Sequence, residues 1–373
     1  MSGSAKLRAG EWVEVRSKAE ILETLDPRGE HERLPFMPEM LQYCGRRFQV
    51  FKRAHKTCDP PNGLQARRMP SAVHLVGVRC DGEAHGGCQA GCLIFWKEAW
   101  LKRVGEEHET PSGLADPPGA PTVPPGLVAP CTEVDLFARV RTTDGPGAGE
   151  AAAYVCQSTR VSAATAPLPW WDLRQYVEDV TSGNVRLSTL VGTFLLFVYL
   201  AVAEAGLGVG AAMRWLYDIV QKVLGMTARP LPRAPTARDR RVPFASLDLQ
   251  AGEMVKVRGY AKILGTLDPS SRNRGLYFDA EQVPFCDKTY RVLRRVERII
   301  DEKTGRMMRL RNEAVILEDV VCQARYAKGR RFCPRSIYPY WRPIWLDRVC
   351  ETGSGIDVSS GLGRDRSGAN TGG

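Results

Sequence analysis

The sequence predicts an α+β protein in which a helical segment joins two related, small β-rich modules. Residues 7–54 align with residues 249–296 without a gap, and 20 of the 48 positions are identical. Apolar and charged residues alternate over short runs in both copies, which predicts half-buried strands. The residues between the copies instead contain apolar positions at helical spacing.

Length and composition limit the number of domains and the class of protein. The chain has 373 residues, a net charge of +10 and 43% apolar residues. At ~100–200 residues per domain, two or three folded pieces are expected, and the apolar fraction excludes a disordered chain. Glycine without a fixed period excludes a collagen-like array.

The first module is assigned to residues 1–104. Val13 and Val15 alternate with charged residues in its opening strand, and Ser17 and Glu20 have the spacing of a capping box before a short helix. The openings GEWVEV and GEMVKV of the two copies resemble the first strand of SH3-like barrels. Each module is therefore expected to be a small SH3-like barrel with an inserted helix.

The remaining boundaries follow changes in composition. Residues 105–166 are rich in proline and glycine and are assigned to a linker with a short strand. Residues 167–242 form the helical segment, residues 243–351 the second module, and residues 352–373 a glycine- and serine-rich tail that is expected to be disordered. Four side chains predict the apolar face of one helix: Leu173, Tyr176, Val177 and Val180.

Residues 187–203 contain 17 consecutive residues without a charge, which is at the lower limit for crossing a ~30 Å hydrocarbon core. A glycine-rich break, an amphipathic stretch and a basic cluster follow. We interpret this region as a helical hairpin that dips into the cytoplasmic leaflet of a membrane. The alternative is a helix pair buried against the modules or within a homo-oligomer.

The expected location of the protein bears on the state of its cysteines. The amino-terminal residues contain no apolar run of the length of a secretory signal, so a cytoplasmic location is expected, with peripheral attachment to the inner face of the plasma membrane. In that reducing compartment, eleven cysteines are expected to be thiols or metal ligands.

Three cysteines recur in register between the copies, and the first copy adds another cysteine and a histidine. The candidate ligands are Cys44, Cys80, Cys88, Cys92, His85, Cys286, Cys322 and Cys333. Thiolate and imidazole suit zinc, with iron as the alternative. The second copy contains no histidine, so its fourth ligand would be a carboxylate, Cys350 or water. The competing interpretation is that these thiols are small buried side chains.

Two further patterns have simpler explanations. Trp96 and Trp100 match Trp341 and Trp345, and each pair is predicted to close the core of its module or the contact between the modules, with ligand stacking as the alternative. Basic residues on the module strands favour a solvated surface over a nucleic-acid site, because acidic residues are interspersed with them. A catalytic thiol would need a base such as His74 or His85.

Three stretches resemble an uncharacterised bacterial protein family: HGGCQAGCLIFWKEAWLKRV, CPRSIYPYWRPIWLDRV and PLPWWDLRQYVEDVTSGNV. The resemblance covers both modules and the middle helix, and it implies a bacterial cytoplasmic protein without an assigned activity. It also implies a histidine just before the position of Cys333, where this chain has Arg330, Arg331 and Phe332.

The sequence therefore favours a non-enzymatic accessory or scaffold protein with tandem cysteine-metal modules. It would dock through its middle segment on a membrane surface or on a partner enzyme. The alternatives are a zinc or iron metalloenzyme in a biosynthetic pathway and, least favoured, a tandem barrel protein that binds nucleic acid.

Overall fold

The α+β class is confirmed. The computed structural model describes residues 6–60, 65–105, 131–142, 153–204, 212, 215, 219, 242–326 and 330–349. Short helices alternate along the chain with several small sheets, and every strand pair in the described residues is antiparallel.

The first module is organised around a five-stranded sheet in the order β8-β7-β4-β1-β9. Its strands are β1 (Trp12–Val15), β2 (Glu30–His31), β3 (Leu34–Pro35), β4 (Arg47–Arg53), β5 (Lys56–Asp59), β6 (Gln65–Arg68), β7 (Ala72–Leu75), β8 (Trp96–Lys97) and β9 (Leu101–Arg103). Helix α1 (Lys18–Glu23) follows β1, and 3-10 helices span Pro38–Tyr43 and Glu98–Trp100. The predicted capping box of α1 is present, with both Ser17 and Glu20 making their reciprocal bonds.

The second module follows the same order of elements, but its described residues contain no strand equivalent to β8. Its strands are β13 (Met254–Val257), β14 (Arg272–Asn273), β15 (Leu276–Tyr277), β16 (Thr289–Arg295), β17 (Arg298–Ile300), β18 (Met307–Arg309), β19 (Val315–Leu317) and β20 (Leu346–Arg348), with 3-10 helices at Ala280–Phe285 and Pro343–Trp345. Its short α-helix, α6, spans Tyr260–Leu264. Strands β13 and β16 begin 242 residues after β1 and β4.

The second sheet has four strands in the order β19-β16-β13-β20. Both sheets are open, and no sheet in the described residues closes into a barrel, so closure into an SH3-like barrel is not confirmed. The α1 and α6 insertions nevertheless lie directly after the first strand of each module, as the sequence predicts.

Each module has its own core, and the four matched tryptophans lie in these cores with no exposed surface, as predicted. Trp100 Nε1 donates to Thr24 Oγ1 at 3.1 Å, and Trp345 Nε1 donates to Thr266 Oγ1 at 2.9 Å. A phenylalanine meets each of these tryptophans edge to face, with a ring separation of 5.2 Å in both modules. These contacts satisfy the indole N–H while burying a large apolar surface.

The residues assigned to the linker contain more structure than predicted. Their described parts form α2 (Glu133–Ala138), β10 (Arg141–Thr142), β11 (Ala153–Tyr154), α3 (Gln157–Ala164) and the start of β12 (Ala166–Pro167). Gln157 at the start of α3 bonds the backbone of Phe95 on both sides, at 2.8 and 2.9 Å, and so fixes the helix against the first module. Such long-range side-chain contacts have no counterpart in local sequence pattern.

Helix α4 (Arg174–Thr181) follows the predicted orientation only in part. Tyr176 is buried as expected and Val180 is half-buried, but Leu173 and Val177 are exposed. Asp179 is fully buried instead, where it pairs with Lys56 of β5, and its Oδ1 lies 3.3 Å from His55 Nε2. A buried charge that meets an opposite buried charge determines which face packs inward, because leaving either one unpaired would be costly.

Helix α5 spans Leu187–Glu204 and packs through its aromatic side chains. Phe194 meets Tyr176 of α4 at 5.0 Å, and the guanidinium of Arg331 lies 3.4 Å from the ring centre of Phe197. Among the described residues, the structure contains no helix with the length and apolar character needed to cross a membrane. The second helix of the predicted hairpin and the basic cluster after it lie almost wholly outside the described residues.

The two modules contact each other reciprocally through their cysteine-containing loops. The loop of the first module reaches β17 of the second, where the N–H of Ile300 donates to Cys88 Sγ at 3.4 Å. The loop of the second module reaches β5 of the first, where Cys333 packs on Cys58. Because Ile300 lies 242 residues after Cys58, the two contacts use equivalent strands, as in an isologous interface.

Candidate metal centre

The loop from Cys80 to Cys92 forms the candidate centre of the first module. Its ends are joined by the bond from Cys80 N to the Cys92 carbonyl, at 2.9 Å. Gly82 makes the turn with φ +79, and a Cβ there would lie 2.0 Å from the carbonyl oxygen of Cys88. Only glycine fits this position. The turn places His85 inside the loop, with 1% of its side chain exposed.

Three different metal-ligating groups meet at this loop. Glu39 of the first 3-10 helix, Cys80 and His85 have ligand atoms that all lie within 4.8 Å of one another. Glu39 Oε1 contacts His85 Nδ1 and accepts a bond from Cys80 Sγ at 3.8 Å. This is the one group of three such ligands in the part of the chain that the structure describes.

His85 lies between two acceptors. Its Nε2 is 2.9 Å from the carbonyl of Val155, so that nitrogen carries a proton and donates. In a neutral ring, Nδ1 then has a lone pair that faces the carboxyl group of Glu39. A proton shared by Nδ1 and Glu39, or a metal ion in its place, satisfies both groups. A histidine whose other nitrogen donates to a backbone carbonyl is typical of metal sites.

A cavity of about 40 Å3 is lined by two of the three groups, Cys80 and His85, and has room for an ion and a bound water. Three further thiols line it, those of Cys88, Cys92 and Cys156. Cys92 Sγ accepts from Ser158 Oγ at 3.4 Å. Cys156 precedes α3 and comes from the middle segment, so the cavity joins donors from two separate parts of the chain.

Burial opposes ionisation of three thiols around the cavity, those of Cys80, Cys92 and Cys156. With the negative charge of Glu39 as a second cause, burial holds the pKa of Cys80 far above its usual range. Burial also raises the pKa of Cys156 to about 12 and raises that of Cys92. A divalent ion would supply the missing charge and release these protons, as it does in metal-thiolate sites.

In the second module, Cys333 belongs to a small buried cluster with Cys58 of the first module, and Cys322 packs against this cluster. The thiols of Cys58 and Cys333 are hydrogen-bonded to each other. Burial raises the pKa of Cys322 to about 12, and the nearby carboxylate of Glu281 adds to the shift.

The remaining two predicted ligands lie apart from both groups. Cys44 ends the first 3-10 helix, and the charged groups that act on its thiol are Lys18 and Glu133. Cys286 ends the equivalent helix of the second module, packs in that core, and has a pKa raised to about 12 by burial. Both positions fit the interpretation of small buried side chains.

Reasoning from the sequence did not propose Glu39 as a ligand, and it assigned neither Cys58 nor Cys156 to a particular site. Glu39 carried a usable signal, because it is one of the identical positions in the aligned copies and matches Glu281. A glutamate that is kept at the same position of both copies is a candidate ligand. Cys58 and Cys156 have no partner in the other copy, so only the tertiary structure reveals their positions.

Other candidate groups have structural roles. His74 is fully buried, its Nδ1 lies 2.9 Å from the Ile94 carbonyl, and burial lowers its pKa to about 3. It is therefore a neutral core residue. Basic side chains on the strands pair with carboxylates, as in Arg47 with Glu14 at 3.1 Å and Arg295 with Asp248 at 2.8 Å.

Compared with known proteins, the chain matches no protein-family model, no curated protein and no solved structure.

Proposed function

We propose that the protein is a non-enzymatic accessory protein whose first module is held together by a zinc ion bound to Glu39, Cys80 and His85. The convergence of a carboxylate, a thiol and an imidazole at one buried point is the observation that supports this proposal. Zinc accepts all three donor types. Thiols of the same cavity supply the fourth ligand in a closed, structural site.

The ion would satisfy a buried carboxylate oxygen and would link two separate elements of the first module. Glu39 is 7% exposed, and its Oε2 has no hydrogen-bond partner among the described residues. A buried carboxylate oxygen without a partner is destabilising, and a metal ligand would satisfy it. The ion would also join the 3-10 helix to the cysteine loop, which are 41 residues apart at Glu39 and Cys80.

The experiment is metal analysis of the full chain, purified without oxygen in zinc-supplemented medium. The variants are E39Q, C80S and H85N, and the matched control is C44S, which removes a predicted ligand that lies away from the site. We expect each test variant to lose one equivalent of zinc relative to the unchanged chain and C44S to lose none. Unchanged zinc content in both C80S and H85N contradicts the proposal.

A metalloenzyme is the second candidate, and one observation favours it. The cavity has space for a water beside the ion, and three protein ligands with an open position are characteristic of catalytic zinc. Iron bound to the surrounding thiols is the corresponding redox alternative. Redox-active iron in the anaerobically purified protein would favour this candidate over the accessory protein.

The docking surface that we propose lies on the middle segment. Trp170 and Trp171 before α4 are 62% and 66% exposed. Four apolar side chains recur on the open face of α5, and all are exposed: Leu187, Val191, Leu195 and Val198. Exposed indoles beside an apolar helix face suit the interface of a membrane, and the basic cluster of the sequence after α5 suits anionic headgroups. We therefore propose an anionic membrane surface as the partner.

Flotation with vesicles of phosphatidylglycerol and, separately, of phosphatidylcholine tests this surface. We expect binding to the anionic vesicles that falls with salt and is lost in a W170S/W171S variant. W12S is the matched control, because Trp12 is 56% exposed on β1 of the first module. If no vesicles bind and the chain instead forms a concentration-dependent dimer that W170S/W171S abolishes, the surface is a homo-oligomer interface.

A further inference from the structure

The contacts of the second cysteine loop suggest more than packing between modules. Cys322 and Cys333 belong to the second module, whereas Cys58 belongs to β5 of the first. The three residues form one contact cluster, in which Cys58 and Cys333 are buried and Cys322 is half-buried. All three are free thiols.

The internal duplication relates this cluster to the first candidate centre. Cys322 is the counterpart of Cys80, and Glu281 is the counterpart of Glu39, both at the offset of 242. Glu281 is 3% exposed, and its Oε1 accepts a bond from the N–H of Tyr326 at 2.6 Å. The carboxylate acts on the Cys322 thiol, as Glu39 acts on Cys80. Both modules thus place a half-buried thiol beside a buried carboxylate.

The two centres differ in the donor that completes them. The first uses His85 from its own loop, and the second module has no histidine. In the first centre, the strand of the opposite module offers Ile300 to Cys88. In the second, the equivalent position is Cys58, which offers a thiol to Cys333. The exchange of isoleucine for cysteine supplies a ligand where histidine is missing.

We propose that Cys58, Cys322, Cys333 and Glu281 form a second zinc site, in which a ligand from the first module clamps the two modules together. Three thiols and one carboxylate can complete a tetrahedral zinc site. This inference depends on the proposed function only for the pattern of the first site, since the ligands of the two sites are different residues.

The surroundings have the charge that such a site needs. Three thiolates and a carboxylate around a divalent ion leave a net negative charge, which buried cations stabilise. Arg330 and Arg335 both act on the Cys58 thiol, are 4% and 1% exposed, and also pair with Asp279 and Glu302. Lys52 and Cys322 line one neighbouring cavity of about 460 Å3. Burial lowers the pKa of Lys52, and the thiols of Cys333 and Cys322 oppose that shift. This cavity also provides the path by which the ion enters.

Binding of an ion at this site would need the donors of the second group to move closer together. The second group of donors is less compact than the first, which is the one group of three within 4.8 Å among the described residues. Cys58 and Cys333 already touch, and the half-exposed Cys322 borders the cavity, so a change of its χ1 rotamer can bring its sulfur toward the pair.

The test is cobalt titration of the full, metal-free chain without oxygen, because each cobalt-thiolate bond adds ultraviolet absorbance. We expect two equivalents to bind. C58S and C322S should each lose one equivalent and the larger share of this absorbance, since the second site has more thiolates. H85N should lose the other equivalent and retain most of the absorbance. C131S, which removes a buried cysteine of the first core, should bind two.

The outcomes separate the two sites. Two equivalents in C58S and C322S, or a disulfide between Cys58 and Cys333 in the anaerobic protein by mass spectrometry, would overturn the second site. If C58S binds less cobalt and H85N binds as much as the unchanged chain, the second site is supported and the first is contradicted. C58S alters a buried residue and could lose metal by unfolding. C322S alters a half-buried residue and tests the same site with less risk to the fold, and circular dichroism measures the fold of each variant.

Discussion

The first and second modules share a core but differ in what is built on it. Both close around two tryptophans, with a threonine bonded to the second indole and a phenylalanine at its edge. Only the first module has His74 in its core, where the second has Ile316, and only its Lys56 is buried against α4. The two copies thus share an apolar framework but differ in which polar groups they bury.

The largest expected difference between the modules concerns the ion pair of Lys56 and Asp179. D179A leaves the ammonium of Lys56 buried without its partner, so we expect a loss of about 3–5 kcal/mol in the free energy of unfolding. The equivalent of Lys56 in the second module is Arg298, which is exposed. R298M should therefore change stability by ~0.5 kcal/mol or less. Equal effects of the two substitutions in urea unfolding would show that α4 is not fixed by this pair.

The second difference is a dependence on pH. Burial lowers the pKa of His74 from 6.5 to about 3, so the folded protein keeps this ring neutral while the unfolded chain takes up a proton. The contribution to stability is complete above pH 6.5 and is lost as the pH falls from there toward 3. The slope is ~1.4 kcal/mol per pH unit within this window.

H74I, which installs the residue of the second module, should remove that slope. Urea unfolding at several pH values between 4 and 7 measures it, with I316V as the control for a small change at the matched site. The prediction fails if H74I and the unchanged chain lose stability in parallel as the pH falls.

A smaller effect should be the same in both modules. T24V and T266V each remove the hydroxyl that accepts the indole N–H of Trp100 or Trp345, so a buried donor is left unsatisfied. We expect each variant to lose about 1–3 kcal/mol. Thermal unfolding with tryptophan fluorescence measures both, and a clear inequality would mean that the two cores are less alike than their geometry indicates.

The smallest predicted effect is at the start of α1. Ser17 caps this helix, whereas the equivalent residue before α6 is Gly259, which makes no side-chain cap. S17A should lose about 1 kcal/mol, and S17G a few tenths. Chemical denaturation can resolve the two values, and a larger loss for S17G than for S17A would contradict the role of the cap.

Local patterns predicted much of the fold. Val13, Val15 and their counterparts alternate with polar residues, and this period alone identifies buried strand faces. The capping box at Ser17 was equally readable. Closure of an SH3-like barrel was not confirmed, because a few residues of first-strand resemblance contain no information on how the last strands meet.

The candidate sites were predicted in part. Cys80 and His85 meet as expected, since they lie on one short loop, but Glu39 comes from a different element. The amphipathic pattern of α4 was misleading, because Leu173 and Val177 follow helical spacing while Asp179 determines the buried face. A hydrophobic pattern ranks the faces of a helix by the free energy of transferring their side chains out of water. It takes no account of an ion pair that a buried charge forms with a residue of another element.

The sequence by itself determined the duplication, the strands, the two tryptophan cores and the cysteine loops. These properties depend on residue type and on spacing over a few residues, which any reader of the chain can count. The tertiary structure alone decided that Glu39 meets His85, that Cys58 crosses to Cys333, and that α4 turns its acidic face inward. Each of these contacts joins residues far apart in the chain, and their free energy depends on burial and on charges that only the folded protein brings together.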